Sequence, residues 1–547
     1  MTSHPKFLFL GVCAGERDLI VQWAHEGVLP TFKALLAKGL VGHTQSVPGL
    51  YVQCTWPSFY TGTDPSKQGV HSWQQLRSGS YEFYRAYTPE NVHSTPFWDH
   101  LSAAGRRVAI LDVPHSGASQ HINGIQLAEW GAHDANYGFA TSPASLAAEV
   151  IARFGEHPQR GLCDADRTPQ QLAEFRDGLL RGIEGKLAIT KHFLAQEDWD
   201  FFAQVFTESH CVGHQCWHLH DPAHPRFSEQ DRAIAGDPVR DVYVAIDRAI
   251  GEILAGVDKD TTVVVMASHG MNSKYVPQFM LGDILERLGV AVNKASIDGS
   301  ARSVAAKRAI DPVLTWGWQR LPGVAKKWLD PLRHRARDWV SVPSRDLPLT
   351  LDPAAGKCFI VPNNHTHGGI RVNLIGREPS GKVRPEEFDS FLDQLGRDLM
   401  AIVNRETGKR IVNRVMRMKD YYRGPLTEHF PDLLVEWTCA VPVRSVQSEK
   451  IGRLDKEYNY CRTGEHNPAG MFIAFGPGIL PGHVDRIVSI MDFAPTFCTA
   501  LGVEVDEFDG VAIPEIAGPA RSRLAFAPFH AMPPAPPVRS GVRAAAS

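Results

Sequence analysis

Short apolar segments alternate with amphipathic segments along most of this chain, and this alternation limits its fold more than any other feature. The apolar segments have the length of buried strands, and the segments between them have helical spacing. Such alternation is typical of α/β proteins in which a largely parallel sheet is sandwiched by helices. We expect strands at Lys6–Val12, Arg107–Val113, Phe201–Phe206, Thr261–Ala267, Leu433–Trp437 and Met471–Phe475, and helices at Asp18–Glu26, Thr31–Lys38, Pro96–Ala104 and Asp241–Ala255.

The chain has 547 residues, more than one ordinary domain, so we expect a large α/β core with insertions or a second lobe. Residues 290–350 are rich in Arg, Lys and Trp and break the alternation. We interpret them as a basic helical insertion or cap, with a binding lobe as the alternative. Residues 1–289 and 351–515 are then the two parts of the core, and the Pro- and Ala-rich residues 516–547 are expected to be disordered.

Composition favours a globular protein of the cytoplasm. Hydrophobic residues make up 43% and charged residues 21%, and the formal net charge is −3. This charge gives no electrostatic reason to expect nucleic acid or an anionic membrane as a partner. The nine cysteines include no CxxC pair, so reduced thiols in a cytoplasm are expected. The apolar N-terminal run is too short for a signal peptide, and no apolar run is long enough to span a membrane.

Histidines at the ends of expected strands indicate a metal site. His210 and His214 follow the strand Phe201–Phe206, and on a helix their spacing would place both imidazoles on one face. His269 and His466 also stand where strands are expected to end. Any one of these residues is more simply a satisfied polar residue, but the set favours a metal site.

Several segments resemble one family. The chain is similar to the alkaline phosphatase superfamily, specifically to the type I phosphodiesterase / nucleotide pyrophosphatase branch, from about residue 6 to residue 515. This resemblance implies the α/β fold already expected, but a fold does not fix its chemistry. The segments that carry it are Phe9–Gly15 with Asp18–Ile20, Trp56–Pro65, Gly368–Pro379, Gly464–Gly470 and Met491–Thr496.

The resemblance implies a site of two zinc ions bridged over a Thr or Ser nucleophile. One ion would be held by an Asp, by a His four residues later and by a late His. His214 and His466 match the two histidines, and His210 stands where the family has the Asp. Because an imidazole can also ligate zinc, the resemblance implies a three-His site for a divalent metal, with zinc expected.

The second ion's site is altered more deeply. Cys13 stands where the resemblance implies an early Asp, and Ser268 stands where it implies the Asp of an Asp-His pair, which leaves His269. Val52 falls at the nucleophile position and offers neither nucleophile nor ligand. We therefore expect that the second metal was lost as a unit. A half-site of Cys13 and His269 remains an alternative, as does a merely apolar role for Cys13.

Three further residues are candidates. Thr55 could replace the missing nucleophile, although it lies about 5 Å further along a helix axis than the usual position. Cys54 does not fit the sulfatase pattern, because two residues rather than one separate it from proline. His365 and His367 precede Gly368 and could face a substrate pocket or simply cap a loop.

These observations predict a metal-dependent hydrolase of small phosphorylated or ester substrates. A single three-His metal with a bound hydroxide would replace the Thr nucleophile of the relatives. Two alternatives remain open: a non-catalytic binding protein that retains the fold, and a non-hydrolytic metal-dependent enzyme on the remodelled site. Neither the substrate nor the oligomeric state follows from the sequence.

Overall fold

The computed structural model describes residues 6–86, 91–131, 138–159, 165–293, 351–458 and 460–518. The expected insertion at 290–350 and the expected tail at 516–547 therefore lie outside the described residues, apart from their first few positions.

Strands and helices follow one another as the sequence pattern predicts, within a few residues at each boundary. The strands are β1 Phe7–Val12, β2 Leu40–Gln45, β3 Gln74–Leu76, β4 Phe83–Arg85, β5 Val108–Leu111, β6 Gly124–Ala128, β7 Ala140–Ser142, β8 Phe201–Phe206, β9 Thr262–Ala267, β10 Gly270–Ser273, β11 Cys358–Val361, β12 His367–Val372, β13 Val403–Asn404, β14 Val412–Arg417, β15 Leu433–Trp437, β16 Ser445–Ser448, β17 Gly452–Asp455, β18 Gly464–Asn467, β19 Ala469–Phe475 and β20 Gly482–Ser489. The α-helices are α1 Arg17–His25, α2 Pro30–Lys38, α3 Thr55–Thr61, α4 Pro65–Gln68, α5 Phe97–Ala103, α6 Leu146–Phe154, α7 Pro169–Leu194, α8 Glu208–His220, α9 Glu229–Ala235, α10 Pro238–Leu254, α11 Leu281–Arg287, α12 Phe388–Met400, α13 Met418–Tyr421, α14 Phe493–Ala500 and α15 Pro514–Ala517. Short 3₁₀ turns lie at Pro277–Met280, Pro385–Glu387, Thr427–His429 and Ile490–Asp492.

A nine-stranded sheet is the centre of the fold, in the order β20-β2-β19-β9-β1-β8-β5-β6-β7. The five strands from β9 to β6 are mutually parallel, and β2 is parallel to β20. Only β19 and β7 run antiparallel to their neighbours in this sheet. The expected fold class, a largely parallel sheet between helices, is confirmed.

The two faces of the sheet carry separate apolar cores. Along β1 successive side chains alternate between faces. Leu8 and Leu10 join the core that contains Val212 of α8, whereas Phe7 and Phe9 join the core that contains Phe59 of α3. Burial on both faces explains why β1 reads as a continuous apolar run. Helix α8, which carries His210 and His214, and helix α3, which begins at Thr55, therefore pack on opposite faces of one sheet.

One expected strand belongs elsewhere. Leu433–Trp437 forms β15 of a second, four-stranded antiparallel sheet, in the order β11-β12-β15-β14. Leu433, Val435 and Trp437 pack in a third core with residues such as Leu281, whereas Leu434 joins the core that contains Phe59. An apolar run shows that a strand is buried but does not show which sheet it joins, so the sequence pattern could not separate it from the main sheet.

In the described part of the chain, no helix is both long enough and apolar enough to cross a bilayer.

A buried group of charges lies under the start of α8. The Lys186 ammonium is 3.3 Å from Glu208 Oε1 and 3.5 Å from Asp112 Oδ2, and it donates to Thr207 Oγ1 at 2.9 Å. His157 Nε2 lies 3.2 Å from the same oxygen of Glu208. All of these side chains are almost fully buried. Because buried charges are tolerated only when paired, this group fixes the position at which α8 leaves the sheet.

Replacing Lys186 with Met should therefore destabilise the fold strongly. The change leaves two buried carboxylates without their cation, and we expect a loss of about 3–5 kcal/mol in the free energy of unfolding, measured by urea denaturation. Lys191→Met on the same helix is the matched control, because Lys191 is 55% exposed and pairs with Glu252 at the surface. The control should cost less than about 1 kcal/mol. Equal losses in the two variants would contradict the role given to Lys186.

Candidate metal centre

Helix α8 begins two residues after β8 ends and carries His210 and His214. It therefore starts at the carboxyl end of a central parallel strand, where ligand sites of open α/β sheets form. Both imidazoles are buried, and their ring centroids are 4.5 Å apart. The expected helical spacing thus places the two rings side by side.

His466 reaches this pair from a distant part of the chain. It lies on β18, which pairs with β10 in register Met271 with His466. The Nε2 atoms of His466 and His214 are 2.9 Å apart. Together with His210, the three residues offer ring nitrogens that all lie within 4.8 Å of one another. The three histidines expected to share a metal are therefore brought to one point.

The tautomer of His214 suits a ligand. Its Nδ1 lies 2.9 Å from the carbonyl oxygen of Gly464, which can only accept, so Nδ1 carries the proton and Nε2 keeps its lone pair. His466 is held neutral as well, since burial and the neighbouring His214 and His269 rings keep its pKa well below the usual range. Neutral imidazoles are the form that binds zinc. By donor type, tautomer and burial, these residues fit one divalent cation.

His269 contacts this group through His466. Its Nε2 is 3.0 Å from His466 Nδ1, and its Nδ1 is 3.0 Å from Ser268 Oγ. Ser268 Oγ also accepts the backbone N–H of Ala14 at 3.3 Å. A His466 that bound a metal through Nε2 would donate from Nδ1 to His269, so the geometry suits His269 as a partner that orients His466.

Cys13 and Ser268 take part in hydrogen bonds outside the three-His group. The indole N–H of Trp56 donates to Cys13 Sγ at 3.3 Å, and Ser268 is engaged with Ala14 and His269. Among the described residues, the one cluster of three or more His, Cys, Asp or Glu with metal-ligand spacing is that of His210, His214 and His466. Where a second ion was expected, Ser268 is hydrogen-bonded to His269, and His269 is hydrogen-bonded to His466.

The expected nucleophile position has an unusual backbone. Val52 has a φ of 84°, a left-handed conformation that β-branched residues rarely adopt. Its loop is braced by Asn364, whose amide donates to the carbonyls of Gly49 and Tyr51. Strained backbone of this kind clusters at functional sites, although Val52 itself supplies no chemistry.

Thr55 is buried at the start of α3, and its hydroxyl has local partners. Its Oγ1 lies 2.6 Å from Ser46 Oγ and accepts the N–H of Val52 at 3.2 Å. A hydroxyl held in this way bridges the turn before the helix. Thr55 stays a candidate nucleophile, but these contacts give it a sufficient structural role.

The two candidate substrate histidines face different neighbours. His365 Nδ1 is 2.9 Å from Glu465 Oε2, and Glu465 Oε1 accepts the backbone N–H of His466 at 3.1 Å. His367 instead lies 3.6 Å from Glu436, and its ring meets Tyr51 edge-on. Its burial lowers the pKa of His367. Of these two histidines, His365 is therefore the one connected to the three-His group, because it contacts Glu465 and Glu465 contacts the backbone of His466.

Three charged residues beside the centre were not expected from the sequence. Buried Glu465 pairs with Lys274 at 3.2 Å; although burial alone would raise the pKa of Glu465, Lys274 and His365 hold it well below its usual range. Arg462 Nη1 lies 3.4 Å from His214 Nε2. Glu465 lies within the segment Gly464–Gly470 that carries the resemblance, and its place beside His466 was a usable signal. No spacing rule would have indicated Lys274 or Arg462.

The fold and these side chains define an α/β protein with a buried three-His cluster suited to one cation. A family model, type I phosphodiesterase / nucleotide pyrophosphatase, matches residues 10–440. The chain belongs to this family, and the expected relation to phosphodiesterase-type hydrolases is confirmed at that level. The matched stretch includes His210 and His214 and stops before His466. No curated protein sequence matches the chain significantly.

Solved structures agree on the fold. Phosphonoacetate hydrolase from Sinorhizobium meliloti 1021 in complex with phosphonoacetate superimposes with a TM-score of 0.52 at 13% identity, covering 92% of this chain and 97% of the other. The same enzyme in complex with phosphonoformate gives a TM-score of 0.51, with the same identity and coverage. At this identity the likeness concerns the fold alone.

Removing the His269 ring should weaken zinc binding without abolishing it. If His269 orients His466 rather than ligating the ion, His269→Ala should lower zinc affinity about 10- to 100-fold in calorimetric titrations. His210→Ala, which removes one of three ligands, should lower it much further. His220→Ala is the control, because His220 lies on the same helix but pairs with Asp237 at 3.0 Å. A His269→Ala protein as deficient as His210→Ala, or one with unchanged affinity, would contradict this assignment.

Proposed function

We propose that this chain is a metal-dependent hydrolase of small phosphate esters or related esters, built on a single divalent cation held by His210, His214 and His466. The convergence of three buried imidazoles carries the proposal. Membership of a phosphodiesterase family supports the reaction class. Zinc is the proposed metal because three imidazoles with an open fourth position are a common catalytic zinc site.

A cation bound here would polarise the phosphoryl group and lower the pKa of an attacking water, so that no side-chain nucleophile is needed. The protein's own residues would supply orientation. Gly464 and His269 hold the rings of His214 and His466 in place. Arg462, beside His214, and His365, beside Glu465, present donors toward an anionic ester.

The proposed surroundings are those of a small-molecule enzyme in the cytoplasm. None of the eight described cysteines is joined in a disulfide, and most of them are buried. Reduced thiols of this kind are expected in a reducing compartment. We propose no nucleic acid or membrane partner, given the near-neutral net charge of −3.

A non-catalytic binding protein is the second candidate. It is favoured by Val52 at the nucleophile position and by Cys13 and Ser268, which stand where the family resemblance implies carboxylates. The Cys13 thiol accepts a hydrogen bond from Trp56, and the Ser268 hydroxyl accepts one from the backbone of Ala14. A metal-dependent reaction other than hydrolysis is a further possibility on the same side chains. Both alternatives keep the cation site, so turnover and not metal content separates them from the proposal.

Hydrolysis of bis-p-nitrophenyl phosphate by the zinc-loaded protein tests the proposal. His466→Ala should reduce turnover to background, because one of three ligands is lost. Thr55→Val should retain kcat/KM within about tenfold, since its hydroxyl would only brace the turn at Val52; loss of a true nucleophile costs about a million-fold. No turnover of mono- or diesters with metal bound would favour the binding protein. Loss of activity in a folded Thr55→Val protein would indicate that Thr55 is the nucleophile and would contradict the proposed attack by a metal-bound water.

A further inference from the structure

A pocket of about 220 Å³ lies on one side of Arg462, a residue that also contacts the three-His group. Its lining combines cationic and aromatic side chains: Arg226, Arg444, Arg462, Tyr275, Phe279 and Tyr458. Arg462 belongs to both places, because it lines the pocket and its Nη1 lies 3.4 Å from His214 Nε2. A ligand that contacts Arg462 in the pocket would therefore approach the group at which hydrolysis is proposed.

The pocket lining carries a positive charge. Lys274 also lines it, but the ammonium of Lys274 is already balanced by buried Glu465 at 3.2 Å. The remaining charged residues of the lining are three arginines and Glu457, which leaves a net charge of three minus one, or +2. Arg226 and Arg444 are exposed, so the pocket opens to solvent beside two of its cations. Such a cleft concentrates anions.

The position of Arg462 favours an anion that bridges the pocket and the centre. The His214 nitrogen nearest to its guanidinium is the nitrogen that keeps its lone pair for a cation. A cation bound at this nitrogen would repel the guanidinium of Arg462, and an anion between them would offset that repulsion. A planar guanidinium is also well suited to two parallel hydrogen bonds with a carboxylate or a phosphate.

We infer that this pocket binds a second anionic group of the substrate. The substrate class is then a phosphate ester that carries an additional carboxylate or phosphate, held by Arg462 and Arg444, with its carbon skeleton against Tyr458 and Phe279. This inference rests on the proposed function for the place of the first phosphate. It also adds a specificity determinant, because a positively charged lining favours a ligand with a second anionic group over an uncharged ester.

Calorimetric titration with matched probes tests the inference independently of turnover. The probes are butyl phosphate, which lacks a second anion, phosphooxybutanoate, which adds a carboxylate, and butanediol bisphosphate, which adds a phosphate. Their two-carbon counterparts, ethyl phosphate and phosphoglycolate, test a shorter reach. At least one doubly anionic probe should bind about tenfold more tightly than its singly anionic partner, and which one does so identifies the preferred group.

Substitutions locate the effect. Arg444→Gln and Arg462→Gln should each remove most of this tenfold preference for a doubly anionic probe. For Arg444→Gln, the affinity for butyl phosphate should stay nearly unchanged. Arg444 is exposed, so that variant tests the pocket even if Arg462→Gln perturbs folding. Arg453→Gln is the control, because Arg453 is an exposed arginine nearby in the chain that pairs with Asp455 and does not line the pocket.

Equal affinity for singly and doubly anionic probes at both chain lengths would overturn the inference. A preference that survives Arg444→Gln in full would overturn it as well. The titrations are run with and without zinc, so that a failure of the proposed hydrolysis can be distinguished from a failure of the pocket to bind a second anion. A protein that prefers doubly anionic probes but hydrolyses no ester would retain the pocket and lose the reaction.

Discussion

The candidate centre depends on the contact between helix α8 and the segment that precedes β19. The backbone N–H of Thr463 donates to the carbonyl of His214 at 2.7 Å, and the next carbonyl, that of Gly464, receives the Nδ1 proton of His214. These two bonds join residues about 250 positions apart in sequence and fix both the distance and the tautomer of the His214 ring. A Cβ on Gly464 would meet the carbonyl of Gly213 at 2.2 Å, so only glycine allows this approach.

The residues at the positions where the family resemblance implies a second ion supply less negative charge than such an ion normally needs. A dication normally needs anionic ligands or nearby negative charge, and Cys13 and Ser268 stand where the family resemblance implies carboxylates. In their place a chain of hydrogen bonds runs from Ala14 through Ser268 and His269 to His466. These bonds would help to orient the histidines of the proposed three-His site. Buried Glu465 contacts Lys274 and His365 and accepts the backbone N–H of His466, which brings a negative charge next to the three-His group.

Much of this arrangement could be predicted from sequence because its signals are local. The apolar runs of β1, β8 and β9 predicted the central strands, and the spacing of His210 and His214 predicted that both side chains lie on one face of a helix. Other features depend on contacts between distant segments. Nothing local distinguishes β15 from a strand of the main sheet, and nothing local places Arg462 beside His214. The same limit applies to His269. Its position at the end of a strand is compatible both with a metal ligand and with a residue that orients His466, and the sequence alone does not separate these roles.

X-ray absorption spectroscopy at the zinc edge tests the central claim most directly. For the zinc-loaded protein we predict one equivalent of zinc with three imidazole nitrogens at about 2.0–2.1 Å and the remaining scattering from oxygen. A sulfur contribution at about 2.3 Å would place Cys13 or another thiol at the metal. That result, or two zinc equivalents per chain, would contradict a single cation held by His210, His214 and His466.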